Sequence, residues 1–152
     1  MKKQALAIFL ILALALSLAA CGGGSAKLLE NKYFSLEEAG NWSLSEEKTG
    51  LFELKNSEIS NAKLTLAANQ WSPEKMLELR LRPSTAEQKD NITLNGIEYY
   101  VVVDDSFGTV TTYLVSVQPF TLNEMDYTVD IDIRNATLEQ ATPLLETLKC
   151  NK

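Results

Sequence analysis

Ile92-Thr93-Leu94-Asn95-Gly96-Ile97-Glu98-Tyr99-Tyr100-Val101-Val102-Val103 is the stretch that decides the fold. Asn-Gly between two β-branched and aromatic runs is a two-residue hairpin signal, because both central residues of that turn need positive φ. In the second run Ile97, Tyr99, Val101 and Val103 share one face, while Tyr100 and Val102 share the other. A strand apolar on both sides is covered on both faces. Downstream, Thr109 to Gln118 reads as a β-branched strand stopped by Pro119. Tyr127 to Arg134 follows, with Tyr127, Val129, Ile131 and Ile133 opposed to Thr128, Asp130, Asp132 and Arg134. That alternation predicts one buried face and one solvated face. The chain then carries a helix opened by a Thr137/Gln140 capping box, with Leu138, Ala141, Leu145 and Leu148 as its stripe. Pro143 inside it predicts a kink or a later start.

Upstream of the hairpin, Ala62 to Ala67 alternates apolar and polar as a half-buried strand does. Ser72-Pro73 then opens a helix as N-cap and first helical residue, and Pro83 closes it. Tyr33 to Leu36, Asn41 to Leu44 and Leu51 to Leu54 are short strand candidates. Strands, one helix, a meander of strands and a last helix predict an α+β domain: an antiparallel sheet of about six strands flanked by helices. The predicted core is Phe34, Trp42, Leu64, Leu66, Ile97, Tyr99, Val101, Leu114, Val129, Ile131, Leu145 and Leu148.

The first residues carry an address. Lys2 and Lys3 form a basic start, Ala5 to Leu16 an apolar run too short to span a bilayer, and Leu18-Ala19-Ala20-Cys21 follows. Those four residues resemble the lipobox of bacterial lipoproteins, in which the cysteine is acylated and becomes the first mature residue. The expected organisation is a signal peptide over 1–20, a lipidated Cys21 with a flexible tether over 21–27, and one globular domain over 28–152. Two acyl chains on one residue give stable anchoring. The expected location is the cell membrane, on its extracytoplasmic face, with the outer leaflet of a plasma membrane favoured over an outer membrane. Cys150 then has no intramolecular partner and reads as a small apolar residue near the end of a helix.

A net charge of -6 repels phosphate backbones and argues against nucleic acid as a partner. Removing Lys2 and Lys3 makes the mature chain more acidic still. The sequence contains no histidine, which excludes Ser-His-Asp triads, Cys-His dyads and His-based zinc sites. Ser72 to Lys75 and Ser45 to Lys48 match S-x-x-K, and Lys48-Thr49-Gly50 matches K-T-G, but the second pair shares its lysine with the third motif. Ser72 is better explained as a cap. Glu124, Asp126, Asp130 and Asp132, with Asp104 and Asp105, could hold a hard cation, yet no calcium-loop spacing accompanies them. They read as a solvated sheet face that Arg134 partly neutralises. Trp42, Trp71, Tyr99, Tyr100, Tyr113 and Tyr127 read as core, Tyr100 being set apart by its position opposite Tyr99.

Asn31-Lys32-Tyr33-Phe34-Ser35-Leu36, then Gly40-Asn41-Trp42, and the terminal Leu144 to Lys149 resemble the PsbP-like family. That family includes the extrinsic PsbP protein of photosystem II and many secreted bacterial lipoproteins. The resemblance implies an α/β/α sandwich around an antiparallel sheet, and it supplies no catalytic residues. The expected function is a surface-tethered, non-enzymatic binding or accessory module without a cofactor, its partners the membrane and another membrane or envelope protein. Asp130, Asp132, Arg134 and Tyr100 are the candidate interaction surface. The alternatives are a cation or small-solute binder and, further off, a hydrolase built from carboxylates.

Overall fold

The structure is a computed structural model, and it describes residues 26–152. The signal segment, Cys21 and most of the expected tether lie outside the described residues. Asn95 and Gly96 both have positive φ (47° and 79°) and join β6 (Glu87–Leu94) to β7 (Ile97–Asp104), as the Asn-Gly signal requires. β7 pairs with β8 (Thr111–Ser116), and β8 with β10 (Met125–Arg134). On the far side of β10 come β5 (Lys63–Asn69), β4 (Leu51–Asn56) and β3 (Trp42–Lys48), while β9 (Phe120–Leu122) forms a hairpin with β10. The result is an eight-stranded antiparallel sheet. A second sheet has three strands, with β2 (Phe34–Glu37) between β1 (Leu28–Glu30) and β11 (Lys149–Cys150).

The expected six-stranded sheet flanked by helices is therefore corrected. The domain is mostly β, and its two α-helices, α1 (Pro73–Arg80) and α2 (Leu138–Leu145), are eight residues each. The missed strands have two causes. The first half of β6 (Glu87 to Asn91) and the end of β3 (Ser45 to Lys48) are exposed edges, so their residues are polar on both sides. β1, β9 and β11 are two or three residues long, too short to show a period.

The core lies between the two sheets. Phe52, Leu66, Ile131, Leu114 and Val101 are consecutive cross-strand partners over five strands, and every one of them is buried. Leu29, Phe34 and Leu36 of the small sheet cover them, together with Ala141, Leu144, Leu145 and Leu148 around α2. Of the predicted core, only Ile97 is half-exposed. Gly40 and Asn41 both adopt left-handed backbone (φ 60° and 64°), which turns the chain into β3 and sets Trp42 beneath α2. A Cβ on Gly40 would come within 3.2 Å of Pro143. The Trp42 indole Nε1 donates to the carbonyl of Gln140 at 2.9 Å.

The capping box forms as expected: Gln140 N donates to Thr137 Oγ1 at 3.2 Å, and Thr137 N donates to Gln140 Oε1 at 2.8 Å. It fixes the start of α2 at Leu138, so the helix begins ahead of Pro143 and runs through it to Leu145. Thr137 is exposed, so Thr137→Ala removes the cap and little else. It should lower stability by about 1 kcal/mol in urea unfolding. An unchanged midpoint would show that packing alone holds the helix.

Candidate polar cleft beneath the first helix

The other face of the large sheet carries three rows of cross-strand partners. Tyr100, Val115 and Asp130 form one, Val102, Tyr113 and Asp132 the next, and Asp104, Thr111 and Arg134 the last. The alternation along β10 predicts this face to be solvated. It is not: α1 packs over β7, β8 and β10, and Asp130 is only 6% exposed. Ser72 caps α1 by accepting from Lys75 N, with Pro73 in the first turn, and the helix ends on Arg80. Arg80 Nη2 donates to Asp130 Oδ2 at 2.5 Å and to Asp132 Oδ1 at 2.8 Å, while its Nε reaches Asp130 Oδ1 at 3.3 Å. Its guanidinium also lies 4.3 Å from the centre of the Tyr113 ring. The place a cation would take between the two aspartates is filled by this guanidinium.

Burial raises the Asp130 carboxyl to about pKa 6, against the opposing pull of Arg80. Burial raises Asp132 as well. For Arg80 burial is the largest single influence and acts to lower the pKa, but the charge and hydrogen bonding of Asp130 and the charge of Asp132 together outweigh it, and the guanidinium is held still more firmly protonated.

Past the end of α1 the chain turns through Pro83 and Thr85; in the last row Asp104 (6% exposed) and Thr111 (7%) are buried, and Arg134 is open to solvent at its end. An open cleft of about 730 Å³ results, lined by Thr85, Asp104, Ser106, Thr111, Tyr113 and Arg134 among others. Asp104 Oδ1 accepts from Thr85 Oγ1 (2.5 Å), Ser106 Oγ (2.7 Å) and Ser106 N (3.1 Å). The hydroxyls of Ser106 and then Thr85 hold this carboxyl below its ordinary pKa, so it is ionised. All three bonds fall on Oδ1, and among the described residues none reaches Oδ2. Across the cleft the Arg134 side chain is 52% exposed, with one long contact of 3.5 Å to Asp132.

The comparisons with known proteins bear on this architecture. No protein-family profile and no curated protein sequence matches the chain. Among solved structures, a protein from Bacteroides thetaiotaomicron VPI-5482 matches with a TM-score of 0.54 at 13% identity, over 84% of this chain and 49% of that one. LpqN, involved in cell envelope biogenesis of Mycobacterium tuberculosis, matches with a TM-score of 0.53 at 10% identity, over 86% and 87%. The likeness is one of fold. No family match places the chain among PsbP-like proteins. The chain spans about half the length of the Bacteroides protein.

Of the four predicted surface residues, Arg134 alone is open to solvent, at the rim of the cleft. Asp130 and Asp132 are locked beneath α1, and Tyr100 is half-buried in the row beside Asp130. Asp126 accepts from Thr121 Oγ1. Ser45 donates to the Glu53 carbonyl and Lys48 pairs with Glu46, so the S-x-x-K and K-T-G residues are dispersed into local contacts. Cys150 lies in β11 rather than in a helix, half-buried, its thiol raised by burial to about 11. Thr85, Ser106 and Thr111 carry no signal in the sequence. Only the register of three strands places Asp104, Thr111 and Arg134 in one row. Among the described residues no helix is long and apolar enough to cross a membrane.

Proposed function

We propose that this protein is a lipid-anchored binding or accessory module of the bacterial envelope, held on the extracytoplasmic face of the membrane through Cys21. Leu18-Ala19-Ala20-Cys21 at the end of an apolar run carries the reading. The fold shared with LpqN, whose described role is in envelope biogenesis, supports it. In this reading the domain works by binding rather than by catalysis. A small-solute binder is the second reading, favoured by the cleft around Asp104 and Arg134.

The wild-type chain should partition with membranes, and its mature N-terminal peptide should carry the mass of a diacylglycerylated cysteine. Cys21→Ser should release the protein or leave it unprocessed. A wild-type protein that fractionates as soluble, with an unlipidated N-terminus, overturns the proposal.

A further inference from the structure

We propose that the cleft beyond α1 binds a small zwitterion, a free α-amino acid or a dipeptide, with its ammonium on Asp104 and its carboxylate on Arg134. This deepens the small-solute reading given above. Asp104, Thr111 and Arg134 are successive partners on β7, β8 and β10 and point to the same face. Two strand spacings separate the outer pair by roughly 10 Å at Cα. They form no ion pair with each other, so a gap between opposite charges remains on the cleft floor. Asp104 is ionised with Oδ2 unused, and the Thr85 and Ser106 hydroxyls clamp its other oxygen in one orientation. Arg134 keeps most of its donors free, since its contact to Asp132 is long.

Charge selects the ligand class. A simple anion satisfies Arg134 but faces the uncompensated oxygen of Asp104, and a simple cation meets the reverse problem. A molecule that carries both charges satisfies both groups through charge-assisted hydrogen bonds, which are the stronger kind. Arg80 does not compete as an anion site, because Asp130 and Asp132 already take up its guanidinium.

The test uses the detergent-purified full chain in thermal-shift and calorimetric titration. The probes are L-alanine, Ala-Ala, N-acetyl-alanine, alaninamide and glucose, each to about 10 mM, enough to detect millimolar binding. The two zwitterions should raise Tm, while the N-acetylated and amidated forms, each lacking one charge, should bind at least about tenfold more weakly. Asp104→Asn keeps an oxygen for Thr85 and Ser106 and should abolish the preference for a free amine. Arg134→Gln should abolish the preference for a free carboxylate. No response to either zwitterion, an equal response to glucose, or preferences that survive both substitutions overturns the inference. The mass of the N-terminal peptide, read on the same preparation, reports anchoring separately. A missing ligand response on an acylated chain therefore sinks this inference alone.

Discussion

Replacing Arg80 with methionine should destabilise the domain by about 3–5 kcal/mol at neutral pH, the cost of leaving buried carboxylates without their counter-charge. Asp130 and Asp132 are almost enclosed between the sheet and α1, and Arg80 supplies three of their hydrogen bonds. Methionine keeps a flexible apolar stem against Tyr113 but leaves both acids in a poorly solvated site. The pH dependence identifies the cause. The folded-state pKa of Asp130, about 6, lies above its ordinary 3.8, so the native state holds that proton more tightly than the unfolded chain. Its contribution to stability is present in full below about pH 4 and is lost as pH rises through 6. Removing Arg80 widens that gap, so the variant should recover stability on acidification from pH 8 to pH 5 relative to wild type. Adding Asp130→Asn and Asp132→Asn to the variant should restore much of the loss, since no charge is then buried unpaired. Urea unfolding at both pH values measures all of this. A loss identical at pH 5 and pH 8 would mean that Arg80 acts through packing on Tyr113 alone.

Trp42→Ala should cost a similar amount, about 3–5 kcal/mol, through the cavity it opens. Trp42 is 1% exposed and lies between the large sheet and α2, tied to the helix by its indole N–H. Gly40 packs against Pro143 on one side, and the chain there has already used two left-handed residues to reach this position. Such a site collapses poorly around a missing ring. Trp42→Phe retains most of the packing and should cost much less, mainly the hydrogen bond, worth about 1 kcal/mol. Circular dichroism is the right readout, because the exposed Trp71 would still fluoresce. Equal losses for the two variants would place the weight on the hydrogen bond rather than on the ring.

Residues whose environment is set by their near neighbours in the chain are legible in the sequence alone. Asn95-Gly96 makes its turn, Ser72 and Thr137 cap their helices, and Leu64, Leu66, Val129 and Ile131 enter the core as their alternation requires. What the sequence hides depends on distant partners. The alternation of β10 is real, but the polar side of a strand reads as solvated only while nothing lies on it. Arg80 is fifty residues away in the chain, and no period links it to Asp130. The Asn123-Glu124 turn has the same positive φ pair as Asn95-Gly96 without a glycine, so β9 carries no hairpin signal. The cleft is legible least of all, since its row of Asp104, Thr111 and Arg134 is assembled by register alone.

The small sheet has a consequence for how the protein is made. β2 holds its place between β1 and β11, and Asn151 returns to Tyr33 and Asn31 across a sequence separation of up to 120 residues. Contacts so far apart in the chain form late and slow the closing of the structure. A ribosome or a secretion channel delivers Phe34 more than a hundred residues before its partner Cys150. Until then the inner face of β2 has a free edge and an uncovered row of aromatic and leucine side chains, the kind of surface that chaperones hold. Assembly of this domain therefore waits for β11, and the half-made domain is its most vulnerable form.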